Sequence, residues 1–355
     1  MEFTDLGRYT KINEGKIPPF QELLKMKPVH LTQELQMVQE EANLRYVEEL
    51  SKKGIRVVPI RRILPERNFK DRLTFPRRIL FEMTSHCNVL CHMCPRQELK
   101  RASMDIDKAL YKKVLDEIDQ YGIEYLATYH LGESLLHPDF RELVDYISTK
   151  RNLGYIWMST NGHKFDAEAI RYVLGSCIDY VNFSAHAITE ETYKKVVPRG
   201  DFKTVQDNLK LFYKMKGKNG ILSKPFLHCQ MIEQEATQYE VDGFIQAHFD
   251  KAEIVSVNML EYVHFTSNAF GAKQRLRKEL KNCIRISRND CFICSDGSVV
   301  PCDAAYNGEI CLGNIQKRTL YDIWNSDERR KLLELNEQGR MAEIEICRHC
   351  TDYDI

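Results

Sequence analysis

The chain has 355 residues, of which 43% are hydrophobic and 29% are charged, an ordinary composition for a globular protein with a full-size core. Its 51 basic residues equal its 51 acidic residues, so the overall charge argues against a nucleic-acid partner. No apolar run has the length of a membrane span, which argues against a membrane partner.

The cysteine content indicates metal or redox chemistry. Residues 1–5 lack the basic-then-apolar pattern of a secretory signal peptide, so we expect a cytoplasmic protein. In a reducing compartment, 12 cysteines are not expected to form a disulfide framework. Three of them lie within residues 87–94 and seven within residues 283–350, and such clustering is typical of bound metal.

Residues 1–75 are predicted to form a helical N-terminal extension. Thr32 is placed to cap a helix that runs to about Lys53, with apolar residues spaced for one face. We expect this extension to cover the following domain, and a module that binds a leader peptide is the alternative.

Residues 55–78 carry eight basic and two acidic residues. A solvated surface explains this charge, and a phosphate-contacting edge is the alternative.

Cys87, Cys91 and Cys94 follow an apolar run over residues 79–84 that is predicted to be a buried strand. Their C-x3-C-x2-C spacing places three thiolates on one short loop. Such a loop can hold three corners of a cubane iron–sulfur cluster and leave the fourth iron open for chemistry. From the spacing alone, a zinc site is an alternative.

The motif resembles the C-x3-C-x-Φ-C signature of radical S-adenosylmethionine (SAM) enzymes, with Met93 at the hydrophobic position Φ. The resemblance implies that Cys87, Cys91 and Cys94 bind a [4Fe-4S] cluster whose open iron binds SAM.

Strands and helices alternate from residue 79 to about residue 260. Predicted strands cover residues 79–84, 125–130, 154–158, 180–184, 226–232 and 253–257, and predicted helices cover residues 107–120, 138–149, 166–174, 202–215 and 238–248. This alternation predicts an α/β fold with a parallel sheet that curls toward a barrel. The resemblance implies a partial (β/α)6 TIM-like barrel over residues 76–262, with functional residues at the C-terminal strand ends.

Several strand ends match segments that contact SAM in radical SAM enzymes. Gly132 and Glu133 resemble the segment that holds the SAM amino group, although a surface carboxylate is the ordinary explanation for Glu133. Ser159 and Asn161 belong to a segment that resembles the family's TNG loop, although Asn-Gly is also a common turn. The resemblance implies the cofactor-binding set Met93, Gly132, Glu133, Ser159, Asn161, Ser184, Arg199 and Gln230.

Residues at three positions near these strand ends allow more than one interpretation. His186 stands where many relatives have an acid, so that contact of the family is in doubt. Arg199 is expected to pair with the SAM carboxylate, or else to form a salt bridge at a helix start. Gln230 and Cys229 lie on opposite faces of one predicted strand, and the sequence does not fix which of them faces the barrel interior.

Seven cysteines follow a polar connector over residues 261–282. The order C-x13-G-x4-C, Leu-Gly-Asn-Ile and a closing C-x2-C resembles the SPASM/Twitch auxiliary-cluster domain of radical SAM enzymes. The resemblance implies a small cysteine-rich α+β domain over residues 263–355. It also implies the ligands of one auxiliary [4Fe-4S] cluster: Cys283, Cys302, Cys347 and Cys350.

A zinc ribbon is the rival for this domain. It would use the Cys291–Cys294 pair together with the Cys347–Cys350 pair. These two pairs have 52 residues between them, whereas ribbon pairs are usually about 15–20 residues apart.

The resemblance implies that SAM cleavage gives a 5′-deoxyadenosyl radical, which abstracts a hydrogen atom from substrate. A fully ligated auxiliary cluster can accept the second electron, which favours oxidation or cross-linking. Epimerisation needs a hydrogen donor, and Cys229 is the catalytic candidate, with Cys291, Cys294 and Cys311 as other spare thiols. Inert packing is the ordinary explanation for each of them.

We expect a small polar substrate of the sugar, aminocyclitol or nucleoside type, and an external one-electron reductant such as flavodoxin or ferredoxin. The first alternative is a maturase that modifies a peptide or protein. The second is a non-catalytic metal-binding or electron-transfer protein.

Overall fold

The computed structural model describes residues 3–4, 11–12, 74–217, 224–248, 251–252, 254–259, 283–348 and 350. In the N-terminal part, β1 (Phe3–Thr4) pairs with β2 (Lys11–Ile12) in a short antiparallel ladder. The sequence indicated no strand here, because a two-residue strand is too short to show a periodic pattern. The helix predicted between Thr32 and Lys53 lies outside the described residues.

Nine strands form one sheet in the order β11-β10-β9-β3-β4-β5-β6-β7-β8. The first six of them along the chain are β3 (Arg78–Phe81), β4 (Tyr125–Ala127), β5 (Tyr155–Thr160), β6 (Tyr180–Ser184), β7 (Phe226–Glu233) and β8 (Ile254–Met259). All neighbours among these six pair in parallel. The sheet is open, with β8 at one edge and β11 at the other. The predicted parallel α/β sheet of a partial barrel is therefore confirmed.

Helices connect the parallel strands. They are α1 (Lys108–Tyr121), α2 (Phe140–Ser148), α3 (Ala167–Gly175), α4 (Glu190–Val196), α5 (Phe202–Gly217) and α6 (Val241–His248). Five were predicted, and α4 was missed because seven residues carry little periodic signal. In α1, the Asp107 side chain caps the first turn by accepting the Leu110 N–H. The buried residues of α1 repeat at helical spacing: Tyr111, Val114, Leu115 and Ile118.

The two faces of the sheet differ in character. Along β5, the side chains of residues 156, 158 and 160 are buried, whereas those of residues 155, 157 and 159 are partly exposed. The helix-facing side chains form an apolar core in which Phe165 lies 6.2 Å from Phe183 and 5.0 Å from Phe212, ring centre to ring centre. The other face, which lines the barrel interior, carries polar and aromatic groups.

The C-terminal part continues the same sheet. It contains β9 (Asp290–Ile293), β10 (Ser298–Val300), β11 (Gly313–Asn314), α7 (Ile284–Ser287), α8 (Leu320–Trp324), α9 (Asp327–Glu337) and α10 (Glu345–Arg348). Strand β9 pairs in parallel with β3, with Leu80 opposite Phe292, and β10 and β11 follow in antiparallel pairs. The predicted mixture of helices and strands is found here. Its strands extend the barrel sheet, which the sequence did not predict.

Within the described residues, no helix is long and apolar enough to cross a membrane. The predicted boundary near residues 262 and 263 falls outside the described residues and stays a prediction.

Candidate active site

The cysteine loop, residues 87–94, leaves the end of β3 and is held by hydrogen bonds on both sides. The His92 N–H donates to the carbonyl of Val196, the last residue of α4, over 2.9 Å. Arg96 Nη2 donates to the carbonyl of Val89 over 3.2 Å. These bonds attach the loop to α4 and fix the turn that carries the three thiols. Met93 is buried, as expected for the hydrophobic position of the motif.

Burial raises the pKa of every thiol in the cysteine loop. The pKa of Cys94 rises to about 11, chiefly through desolvation. The pKa of Cys91 lies well above its usual value because of desolvation and then the negative charges of Cys94 and Cys87. Three adjacent thiolates therefore need a positively charged partner, which the iron atoms of a cluster supply. The donor set fits a [4Fe-4S] cluster with three protein ligands.

Gly132 and Glu133 lie against the cysteine loop. A Cβ at Gly132 would sit 1.9 Å from the Thr84 carbonyl oxygen, so only glycine permits this approach. The Glu133 N–H donates to the His86 carbonyl over 2.9 Å. The Glu133 side chain is buried, and its Oε1 has no hydrogen-bond partner among the described residues. Burial raises the pKa of this carboxyl to about 7. An unpartnered buried carboxylate oxygen fits an ammonium group such as that of SAM.

Asn161 links Glu133 to the cysteine loop. Its N–H donates to Glu133 Oε2 over 2.7 Å, and its side-chain amide donates to Asn88 Oδ1 over 2.9 Å. The same amide nitrogen lies 3.6 Å from Cys87 Sγ. The loop that carries Cys87, Cys91 and Cys94 therefore meets the Gly132–Glu133 segment and Asn161 at one end of the sheet.

A row of polar side chains crosses the barrel interior from β5 to β7. Asn182 Nδ2 donates to Ser159 Oγ over 3.3 Å and to Gln230 Oε1 over 2.8 Å. Ser184 lies opposite Gln230 in the strand register. Asn182 Oδ1 is buried and has no partner among the described residues. The predicted residues Ser159, Ser184 and Gln230 thus share one face, and Asn182, which the sequence analysis did not single out, joins them.

His186 follows this row in an unusual backbone conformation. Its φ is 59°, in the left-handed region that few non-glycine residues adopt. Its N–H donates to the Gln230 carbonyl over 3.2 Å. Burial lowers the pKa of the imidazole to about 4, so the ring is neutral at physiological pH. Its buried Nδ1 has no partner among the described residues, so this nitrogen is available to a ligand.

Two further predicted site residues, Arg199 and Cys229, differ in exposure. Arg199 is exposed on the loop between α4 and α5. Cys229 is fully buried on the helix-facing side of β7, where its Sγ lies 3.1 Å from the Tyr213 hydroxyl of α5. The neighbouring Gln230 faces the interior, so the structure settles the question that strand periodicity left open.

The predicted ligands of the auxiliary cluster come from three segments. Cys283 lies just before α7, and Cys302 follows β10. Desolvation and then Asp303 raise the pKa of Cys302 well above its usual value, and Cys283 is close enough to add to this effect. Cys347 and Cys350 form one turn, in which the Cys350 N–H donates to the Cys347 carbonyl over 3.1 Å. The raised pKa of Cys302, with the Cys283 thiol nearby, fits a cluster that supplies positive charge.

Cys291 and Cys294, the zinc-ribbon candidates, lie in and directly after β9, and both are buried. Across the described ranges, no three His, Cys, Asp or Glu side chains are arranged to hold a single metal ion. That observation concerns single-ion sites, whereas a cubane spreads its thiolate ligands over separate irons.

Sequence reasoning gave no role to Glu82. This residue is fully buried beside the cysteine loop and forms an ion pair with Arg101. A charged residue inside the apolar run of residues 79–84 was the available signal, because isolated charges are rarely buried without a partner.

Two family models match the chain. The model of the radical SAM superfamily matches residues 81–234, and that of SPASM, an iron–sulfur cluster-binding domain, matches residues 283–351. The chain contains a radical SAM domain. Its C-terminal part is a SPASM domain. These two domains imply a [4Fe-4S] cluster that binds SAM together with auxiliary iron–sulfur binding, as the motifs predicted.

Relatives of this radical SAM protein act on different substrates. The mycofactocin maturase MftC of Mycobacterium ulcerans (strain Agy99) is 31% identical over 135 residues, which cover 38% of this chain and 36% of the maturase. The S-adenosyl-L-methionine-dependent 2-deoxy-scyllo-inosamine dehydrogenase of Niallia circulans is 21% identical over 283 residues, which cover 77% of this chain and 92% of the dehydrogenase.

Among solved structures, BtrN in complex with AdoMet and 2-DOIA aligns with a TM-score of 0.50 at 17% identity. The alignment covers 79% of this chain and 95% of that chain. At this identity, the likeness shows the fold.

Proposed function

We propose that this protein cleaves SAM reductively and abstracts a hydrogen atom from a small polar substrate of the sugar, aminocyclitol or nucleoside type, with oxidation as the net result. When bound, SAM and its cluster supply a 5′-deoxyadenosyl radical as the hydrogen-abstracting species. The residues of this chain bind, orient and shield the reactants. An external one-electron reductant such as flavodoxin or ferredoxin belongs to this proposal.

The SAM site is proposed from the groups that surround the cysteine loop. Cys87, Cys91 and Cys94 would hold the cluster. Glu133 would accept the amino group of SAM through its unpartnered Oε1, while its Oε2 stays bonded to the Asn161 N–H. Because Gly132 packs on the Thr84 carbonyl oxygen, this carboxylate keeps a fixed position relative to the cysteine loop.

The row formed by Ser159, Asn182 and Gln230 is the observation that carries the substrate class. We propose that Ser159 and Gln230, which the resemblance assigned to SAM, contact the substrate. Its amide and hydroxyl groups lie on the interior face of the strands whose C-terminal ends lead to the proposed SAM site. The free Asn182 Oδ1 would accept a substrate hydroxyl. Nearby, the Trp157 ring lies 4.3 Å from that of Tyr180 and offers an aromatic surface for a ring-shaped substrate. Neutral amides and aromatic rings suit a polyhydroxylated molecule.

Two further observations support this proposal. The 2-deoxy-scyllo-inosamine dehydrogenase aligns over 92% of its own length, whereas the maturase aligns over 36%. Oxidation is favoured over epimerisation because none of the four spare thiols belongs to the interior row: Cys229 and Cys291 are fully buried in the apolar core, Cys294 is buried in the SPASM domain, and Cys311 is exposed. We therefore propose that Cys229 is a core residue.

A peptide-modifying activity is the second candidate. The 31% identity to the maturase over part of the barrel favours it. The residues that would form a leader-peptide module, 1–54, lie almost entirely outside the described part of the chain.

Deuterium transfer separates the two candidates. The anaerobically reconstituted protein is incubated with SAM, a reductant and one deuterated compound at a time: a sugar, an aminocyclitol, a nucleoside or a peptide. Mass spectrometry then measures deuterium in 5′-deoxyadenosine. We expect transfer from a compound of the first three classes, together with an oxidised product. Transfer from the peptide alone would contradict the proposed substrate class, and SAM that is never cleaved would favour the non-catalytic alternative.

A further inference from the structure

One buried carboxylate connects the two flanks of the cysteine loop with the SPASM domain. Glu82 follows β3 directly and lies five residues before the first cysteine of the loop. Its side chain is fully buried, and both of its oxygens accept hydrogen bonds from distant segments. Desolvating a carboxylate is costly unless several donors surround it, so these contacts define its geometry tightly.

Three segments donate to Glu82. Arg101 Nη2 lies 2.7 Å from Oε1 and 2.9 Å from Oε2. Oε1 also accepts the Ser295 N–H over 3.0 Å and the Ser295 hydroxyl over 2.7 Å. Oε2 accepts the Leu131 N–H over 3.1 Å. Ser295 lies in the β9–β10 turn of the SPASM domain, and Leu131 directly precedes Gly132 and Glu133.

Arg101 strengthens the same connection from the other flank of the loop. Its Nη1 donates to Ser295 Oγ over 3.1 Å, and its Nε donates to the Tyr306 carbonyl over 3.0 Å. Tyr306 lies four residues after Cys302, a proposed ligand of the auxiliary cluster. The segments before and after the cysteine loop are therefore both attached to the SPASM domain.

We propose that Glu82 is a positioning residue that transmits the placement of the SPASM domain to the Leu131–Glu133 segment, and thereby sets the affinity for SAM. A displaced Ser295 moves the acceptor that holds the Leu131 N–H, and Leu131 is two residues from the carboxylate that receives the SAM amino group. This inference rests on SAM binding at Glu133 in the proposed function and is independent of the substrate class.

Three variants of the full-length protein test it. Glu82→Gln keeps the side-chain shape but removes the charge. Its amide N–H groups would face the donors of Arg101, Ser295 and Leu131, which cannot accept a hydrogen bond from them. Ser295→Ala removes one donor from the SPASM side and leaves the ion pair intact. Asp179→Asn is the matched control, because Asp179 is also buried, pairs with Lys224 and accepts the Ile156 N–H over 3.0 Å. It lies at the N-terminal end of β6, away from the site.

Two quantities are measured, with thermal unfolding of each variant for reference. Hydrogen–deuterium exchange reports on the Leu131 amide in the absence of SAM, and equilibrium dialysis gives the SAM dissociation constant of the reconstituted protein. We expect Glu82→Gln and Ser295→Ala to speed Leu131 exchange and to raise the dissociation constant about fivefold or more. Asp179→Asn should lower thermal stability and leave both quantities close to those of the parent.

The proposal is wrong if Ser295→Ala matches the parent in both quantities, or if Glu82→Gln changes them no more than Asp179→Asn does. Should Glu82→Gln fail to fold, Ser295→Ala decides alone. If the parent itself binds no SAM, the proposed function fails, whereas Leu131 exchange still tests the attachment through Glu82.

Discussion

In the proposed SAM site, the Glu133 carboxylate makes SAM binding depend on pH. It is buried, and desolvation raises its pKa to about 7, although the N–H of Asn161 opposes this shift. The ionised form attracts the SAM ammonium group, and the protonated form does not. We therefore expect the SAM dissociation constant to rise nearly tenfold per pH unit as the pH falls below about 7, and to level off above it.

Equilibrium dialysis across this pH range measures the effect, and Glu133→Gln is the control. This variant keeps the side-chain shape without a titrating group, so it should bind SAM weakly and show no such slope. A parent protein whose SAM affinity stays flat from about pH 6 to pH 8 would contradict the role given to Glu133.

A substitution at Gly132 tests how closely this segment must approach the backbone that leads into the cysteine loop. A Cβ at this position would meet the Thr84 carbonyl oxygen at 1.9 Å, and backbone cannot move away cheaply. We expect Gly132→Ala to lower the free energy of unfolding by about 2 kcal/mol or more and to abolish SAM binding. Denaturant unfolding and SAM dialysis measure the two effects.

Gly175, at the end of α3, is the matched control for Gly132, because a Cβ there meets nothing within 4 Å. Gly175→Ala should leave SAM binding unchanged and alter stability by no more than about 1 kcal/mol. Equal effects of the two substitutions would show that the close contact at Gly132 has no special role.

At the scale of the element, β7 places neighbouring residues in two environments. Cys229 packs against Tyr213 in the helix layer, whereas Gln230 joins the interior row through Asn182. We expect Gln230→Ala to raise the substrate KM about fivefold or more, because it removes one hydrogen-bonding group from the row. Cys229→Ala should lower stability by about 1 kcal/mol and leave the KM close to that of the parent.

Steady-state kinetics and chemical denaturation of the two variants check this prediction. If Cys229→Ala folds normally and yet abolishes turnover, Cys229 would be restored as a catalytic thiol.

The sequence predicted the strands and helices better than it predicted which of them lie next to each other. All six predicted barrel strands overlap observed ones, because alternation and length are local signals. The parallel pairing of β3 with β9 was not predicted, since Leu80 and its partner Phe292 are more than 200 residues apart and no local pattern specifies that contact. For the same reason the motifs located the cysteine loop and Glu133, whereas Asn182 and Glu82 emerged only from contacts between elements.

At the scale of the whole molecule, one continuous sheet joins the SAM-binding part to the SPASM domain. Strand β9 pairs with β3, and the cysteine loop begins at the end of β3. This arrangement places the SPASM domain beside the proposed SAM site, where an auxiliary cluster held by that domain would be able to accept the second electron of a substrate oxidation.

We propose that the chain holds two [4Fe-4S] clusters, of which the one at Cys87, Cys91 and Cys94 supports SAM cleavage. The most direct test counts iron and sulfide in the anaerobically reconstituted protein and measures 5′-deoxyadenosine release under reductant. The control carries Cys87→Ala, Cys91→Ala and Cys94→Ala together. We expect about eight irons in the parent, about half in the variant, and SAM cleavage by the parent alone. Bound zinc, or about four irons in both proteins, would contradict the assignment of the clusters and the proposed function with it.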